Sequence, residues 1–189
     1  VITITPTAFW YLRHGQTDWN AQNLAQGNLE IPLNETGLAQ ARAAAPLLLN
    51  RGITTIISSP LSRARVTAEI AAEQLGLPVM FDAGLHEVEF GEQEGKPMLA
   101  QWFADWISGL YTPAGGESFL DLRKRAAGAV NRALTYPAPV LIVAHGALFR
   151  ALRADFGLDP DVRLANAIPQ FCEPPAPGLT EWTITSAEP

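Results

Sequence analysis

The chain has three histidines, and two of them end apolar runs: Phe9-Trp10-Tyr11-Leu12 passes into Arg13-His14-Gly15, and Val140-Leu141-Ile142-Val143-Ala144 passes into His145-Gly146. A short run of β-favouring residues bounded by glycine reads as a buried strand. Both imidazoles therefore emerge at carboxyl ends of strands, where open α/β sheets place their ligands. Taken singly, a histidine is as well explained by a structural or pH-sensitive surface role. Two at matched topological positions can face one pocket, where an imidazole near neutral pH serves as nucleophile, acid or base. His86 stands apart in an acidic loop with Glu87, Glu89 and Glu92.

Cations accompany them. Arg13 adjoins His14, while Arg63 and Arg65 fall in the opening turns of a predicted helix with Ser59 as N-cap and Pro60 at its first position. The helix dipole disfavours a cation there by some tenths of a kcal/mol, about 0.3–1. A bound anion would offset that, because helix-start amides and a guanidinium together clamp phosphate. The simpler alternative is that both arginines point to water; it suffices for Arg65 and leaves Arg63 open. Glu87 by itself reads as a solvated carboxylate among acidic neighbours.

The elements that must position these residues follow from periodicity. Residues 18–33 show no sustained period and read as a loop with at most one short helix, lying over the pocket mouth. Leu38, Ala41, Ala45 and Leu48 predict a helix from about Thr36, stopped by Arg51-Gly52. Thr54–Ser58 is a strand, Leu61, Ala64, Ala68, Ala71 and Leu75 stripe the next helix, and Val79–Phe81 is a short strand. Met98–Leu110 predicts an aromatic-rich helix, and Glu117 opens a long one that Pro137 and Pro139 close. A helix follows His145 through about Phe156, with further strands expected within Leu164–Phe171 and at Leu179–Ile184. Strands alternating with helices predict one domain over residues 1–189, a three-layer α/β/α sandwich with a mostly parallel central sheet.

Composition narrows the partners. Hydrophobic residues make up 48% and charged residues 17%, ordinary for a globular chain. The net charge of −6 argues against nucleic acid or an anionic membrane, which need a broad positive surface. No apolar run approaches the ~20 residues of a membrane span, and the start lacks the features of a signal peptide. A cytoplasmic protein is expected, in keeping with the single cysteine, Cys172. An anionic small molecule would need a local positive pocket set into an acidic body.

Four segments together carry a family resemblance. Arg13-His14-Gly15 with Thr17 and Asn20, Ser58-Ser59-Pro60-Leu61-Ser62-Arg63-Ala64, Leu85-His86-Glu87 with Phe90-Gly91 and Glu94-Gly95, and Val143-Ala144-His145-Gly146 resemble, in order, the histidine phosphatase superfamily of phosphoglycerate mutases and related phosphatases. The resemblance implies a phosphoglycerate mutase-like fold and a phosphomonoester hydrolase acting on a small phosphorylated metabolite through a phosphohistidine. His14 would be the nucleophile, with its second ring nitrogen donating to a backbone carbonyl. Arg13, Arg63 and a protonated His145 would hold the phosphoryl oxygens. Glu87 would be the acid and then the base, with Glu89 left open as the alternative proton donor. Asn20, Gln26 and Gly27 match positions lining the phosphate or substrate site. The resemblance implies no metal and no cofactor, and allows a homodimer.

Departures from the mutases favour hydrolysis. Lys96 is the only basic residue between Glu87 and Arg123, Phe90 and Met98 stand where polar contacts would hold a second anion, and Ala147 replaces an asparagine. The segment Pro113–Phe119 is similar to one in small bacterial members, including broad-specificity and α-ribazole phosphatases. Trp19, Trp102, Phe103 and Trp106 could wall the pocket, although core packing explains them equally. The alternatives are a bisphosphate-dependent phosphoglycerate mutase and a non-catalytic phospholigand-binding domain.

Overall fold

The computed structural model describes residues 2–188. Among them a six-stranded mixed sheet runs in the order β3-β2-β4-β1-β5-β6, built from β1 (Phe9–Arg13), β2 (Thr55–Ser58), β3 (Val79–Phe81), β4 (Val140–Ala144), β5 (Gln170–Glu173) and β6 (Thr183–Ser186). The first four run parallel to one another; β5 is antiparallel to both its neighbours, β1 and β6. The helices are α1 (Asp18–Ala21), α2 (Glu35–Ala44), α3 (Ser62–Leu75), α4 (Ala100–Ile107), α5 (Phe119–Ala133) and α6 (Gly146–Asp155).

Every residue of β1 and β4 is buried, as continuous apolar strands covered on both faces require. Side chains alternate between the faces. Phe9, Tyr11 and Ile142 pack with Leu122, Ala126 and Val130 of α5 and with Leu148 and Leu152 of α6. Trp10, Leu12, Leu141 and Val143 pack with Ala64, Ala68 and Ala71 of α3 and Ala44 of α2. The three layers follow.

Register sets the site. Arg13 is opposite Ala144 and Ser58 opposite Val143, so the next residues, His14, Ser59 and His145, leave the sheet together at its carboxyl edge. Two backbone bonds extend the ladder to that edge: His14 N–H donates to the Ala144 carbonyl at 3.0 Å, and Ser59 N–H to the Val143 carbonyl at 2.9 Å. Immediately beyond, Gly15 packs so closely on the first turn of α2 that a Cβ there would lie 2.3 Å from the Gly37 carbonyl oxygen.

Several predicted boundaries move, each for a local reason. α3 starts at Ser62, not directly after Ser59, because Leu61 is still extended at ψ 137; Ser59 Oγ accepts from Leu61 N–H at 3.3 Å and also meets His145 Nε2 at 2.7 Å. The predicted helix from Thr36 is capped by Asn34 and gives way at Ala45 to a 3-10 turn containing Pro46, whose missing N–H ends the α ladder. Ser118 caps α5 by accepting from Asp121 N–H, leaving Glu117 outside the helix. α4 is shorter than Met98–Leu110, since Met98 N–H is bonded to the Asn23 carbonyl and Gly109 turns with φ +79. The two last strands lie later than predicted, because residues 164–167 wrap the end of β1: Leu164 O accepts from Arg13 Nη1 and Ala167 N–H donates to Arg13 O.

Candidate active site

His14 is 1% exposed, with Nδ1 2.6 Å from the Gly15 carbonyl oxygen. A carbonyl only accepts, so Nδ1 carries a proton. Burial, and then the charges of Arg63 and Arg13, hold this imidazole well below the usual histidine range. The ring is therefore neutral near pH 7, with the lone pair on Nε2.

His145 lies beside it, ring centroids 5.3 Å apart. Its backbone is fixed at the end of β4 by Tyr11, whose hydroxyl donates to His145 O at 2.8 Å and accepts from His145 N–H at 3.1 Å. Nε2 meets the Ser59 hydroxyl, and Nδ1 is buried with no partner. Burial, Arg63, His14 and Arg13 also push this imidazole well below its ordinary range. The ligand-free protein thus favours a neutral His145, where a protonated ring was expected.

Both site arginines are buried, Arg13 8% and Arg63 1% exposed. Arg63 donates from Nη1 to Leu29 O at 2.6 Å and from Nη2 to Gly27 O at 2.7 Å, tying the mouth loop to α3. Arg13 donates from Nη1 to Leu164 O, and burial brings its guanidinium down to about 10. The Nε of each arginine is buried without a partner. A Cβ on Gly146 would come within 3.0 Å of Arg13 Nε, so the glycine after His145 leaves room for that guanidinium.

Glu87 faces the same cavity from the loop after β3. Its Oε1 accepts from Val88 and Leu148 N–H and its Oε2 from Ala147 N–H, each at 3.0 Å. Two of those donors are among the amides at the start of α6 that have no partner within the helix. Glu89 is exposed, and its carbonyl accepts from Glu117 N–H instead. His86 Nδ1 meets Asn28 Oδ1 at 3.0 Å and Glu87 O at 2.7 Å.

The cavity measures about 300 Å³ and brings together Arg13, His14, Arg63 and Glu87 with Asn20, Gln26 and Gly27. Asn20 Oδ1 accepts from Thr17 N–H and from Asn166 Nδ2, which also donates to His14 O. Gln26 Oε1 accepts the Thr17 hydroxyl at 2.6 Å. Gly27 has φ +55, and a Cβ there would lie 2.1 Å from Glu94 Oε1. Phe103, Phe90, Met98 and Leu24 give the cavity an apolar wall. Of the four aromatics suggested for that wall only Phe103 lines it; Trp106 is fully buried in the core. Arg65 is paired with Glu69 at 3.0 Å on the surface.

Sequence reasoning missed three charged residues of the cavity, Arg150, Asp161 and Arg163. The first was findable: Arg150 stands one turn after Ala147 on α6, so the two share a face. Arg163 belongs to an irregular segment without a period. Arg150 Nη1 donates to Asp161 Oδ1 at 2.8 Å and to Pro160 O at 3.2 Å, with its guanidinium carbon 4.8 Å from the Phe103 ring centroid. Arg163 is exposed at the rim and makes no ion pair or side-chain hydrogen bond among the described residues. From the sequence, a second anion site is sought between Glu87 and Arg123, where Lys96 is the only basic residue; the two cations that reach the cavity come instead from beyond His145. No group of three or more metal-ligating side chains occurs among the described residues, and no helix there is long and apolar enough to cross a membrane.

A neutral strand-end imidazole flanked by two buried guanidiniums, a second imidazole and a carboxylate, on a mostly parallel three-layer sandwich, defines a class. The chain belongs to the histidine phosphatase superfamily (branch 1), whose family model matches residues 9–170. It is 40% identical over 169 residues to the uncharacterized phosphatase PhoE of Bacillus subtilis (strain 168), covering 85% of each chain. It is 37% identical over 147 residues to the probable phosphoglycerate mutase GpmB of Yersinia pestis (strain Pestoides F), covering 72% of this chain and 68% of that one. Among solved structures it is similar to a mycobacterial glucosyl-3-phosphoglycerate phosphatase in complex with VO3, at a TM-score of 0.81 and 31% identity, covering 94% of this chain and 96% of the other.

Proposed function

We propose that this protein hydrolyses small phosphomonoesters through a phosphohistidine at His14, without a metal. The observation that carries the reading is a set of unpaired nitrogens: Arg13 Nε, Arg63 Nε and His145 Nδ1 are all buried without hydrogen-bond partners, on three groups around one neutral imidazole. A buried donor left unpaired costs about 1–3 kcal/mol. A phosphoryl group offers acceptors for all three, and its charge offsets the mutual repulsion of the cations.

The reaction runs in two displacements. His14 Nε2 attacks phosphorus, the phosphorus–oxygen bond to the alcohol breaks, and Glu87 gives its proton to the departing oxygen. Glu87 then takes a proton from water, whose oxygen attacks phosphorus as the phosphorus–nitrogen bond breaks, returning neutral His14 and inorganic phosphate. Arg13 and Arg63 stabilise the charge on the equatorial oxygens in both steps. His145 joins them as imidazolium once the phosphoryl dianion is bound, with Nδ1–H as donor and Nε2 facing the Ser59 hydroxyl. A cavity of about 300 Å³ is at the small end of metabolite sites.

The test is phosphate release from a panel of sugar phosphates, phosphoglycerates, nucleotides, phosphopeptides and α-ribazole phosphate in the presence of chelator, with an alkaline quench to retain labelled phosphoenzyme. Turnover of at least one ester with transient label on the protein is expected; retention of a phosphorylated ligand without turnover would point to a binding domain instead.

Arg150 and Arg163 at the rim favour one second reading, the phosphoglycerate mutase. A coupled assay with bisphosphate primer separates the two, hydrolysis outrunning isomerisation being the expected result. On either reading Arg163 should select esters whose alcohol carries an anionic group. Arg163→Gln should lower the ratio of kcat/KM for such an ester over a neutral isostere by about fivefold to tenfold, the worth of one charge-assisted bond near the surface. An unchanged ratio would remove Arg163 from substrate selection.

A further inference from the structure

The loop that carries Glu87 has no sheet ladder of its own. A 3-10 turn over Ala83–Leu85 ends it on one side, and no regular element follows until another short turn at Gly91–Gln93. Its carbonyls must be satisfied elsewhere, and one side chain takes two of them together with one from the preceding turn. Arg125 of α5 donates from Nη1 to Gly84 O at 2.9 Å and to His86 O at 2.8 Å, and from Nη2 to Glu87 O at 3.3 Å. Its two remaining N–H groups go to Glu117, Nε to Oε1 at 2.9 Å and Nη2 to Oε2 at 2.7 Å. All five guanidinium donors are used, three of them on the loop and the turn before it.

Glu117 is itself pinned to the loop and to the core. Its N–H donates to Glu89 O at 2.7 Å, and its carbonyl accepts from the buried Trp106 indole at 2.9 Å. The seam leaves no space for side chains: a Cβ on Gly91 would lie 2.2 Å from Ala114 O, and one on Gly116 2.8 Å from Glu89 O. The pair is mostly buried, with side-chain exposures of 20% for Arg125 and 14% for Glu117, and neither residue lines the cavity.

We propose that Arg125, oriented by Glu117, is a positioning residue that sets the placement of the Glu87 carboxyl for proton transfer to the leaving oxygen. The inference rests on the reading of Glu87 as proton donor. A lysine at 125 keeps the charge but lacks the planar fork needed to hold three carbonyls and a carboxylate at once.

Leaving-group dependence separates this role from mere stability. An alkyl alcohol leaves as a strong base and needs the proton, whereas p-nitrophenolate leaves almost without one. The rates of parent, Glu87→Gln, Arg125→Lys and the double variant are to be compared across monoesters from p-nitrophenyl to alkyl phosphate, with folding checked by circular dichroism. Arg125→Lys should lose about tenfold or more on the alkyl ester and no more than about threefold on the aryl one, and the double variant should be no slower than Glu87→Gln alone, as expected for groups acting as a unit. Should Arg125→Lys fail to fold, Glu117→Gln is put through the same series with the same pattern expected. An equal loss on every ester, or additive losses in the double variant, would overturn the role of Arg125. A flat series for Glu87→Gln itself would overturn the proton-donor reading and the present inference with it.

Discussion

Replacing His14 by alanine should lower kcat on an activated phosphate ester by about 10³-fold or more, the scale of loss when a covalent nucleophile is removed. The labelled phosphoenzyme should vanish with it. The substitution removes the one histidine among the residues that line the cavity, while the backbone that supports it is retained. His14 N–H still bonds to Ala144 O, and His14 O still accepts from Asn166. A loss of rate would therefore report chemistry rather than collapse, which an unchanged circular dichroism spectrum checks. Hydrolysis near the parent rate would eliminate the phosphohistidine mechanism.

Arg63→Met should be nearly as damaging, costing about 10²–10³-fold in kcat/KM for one lost oxyanion donor. It should also change the pH profile in a stated direction. Arg63 is the largest charge contribution lowering both imidazoles, second only to burial. In the parent, His14 stays neutral to well below the ordinary value of 6.5, so the acid limb of kcat/KM lies below that pH. Without the Arg63 charge the imidazole regains basicity and the limb moves up toward 6.5. Arg63→Lys separates charge from geometry. It should keep the limb low yet lose rate, because an ammonium cannot serve both Gly27 O and Leu29 O as the fork does. A limb that stays put in Arg63→Met would mean that this cation does not tune His14.

Much of this site is legible in the sequence, and the reason is topological. Apolar runs ending on Arg13-His14 and on His145 fix strand ends, and parallel pairing of β1 with β4 then brings the two imidazoles to one edge. The α3 start was legible as a place for a cation, although Arg63 sits there through two carbonyl bonds to residues 27 and 29, which no local pattern records. Glu87 was visible only through the resemblance, since what distinguishes it from Glu89 is contact with amides sixty residues away in α6. Ser59 was legible as a turn residue accepting from Leu61 N–H, but not as a partner of His145, which is remote in sequence. Arg163 was missed, and the late strands β5 and β6 were placed too early, for a common reason: after Asp159 the chain follows the end of β1 rather than a period of its own.

The depth at which the two imidazoles lie has a consequence for the endurance of the fold itself. In the unfolded chain His14 and His145 take up protons near pH 6.5, whereas in the native protein both resist protonation until well below it. Below pH 6.5 the unfolded state therefore binds more protons than the native one, so the unfolding free energy falls as the solution is acidified. Urea midpoints measured between pH 7 and pH 5 should decline, and a His145→Asn variant should decline less steeply. The arrangement that keeps a nitrogen lone pair ready is thus also what limits this protein's tolerance of acid.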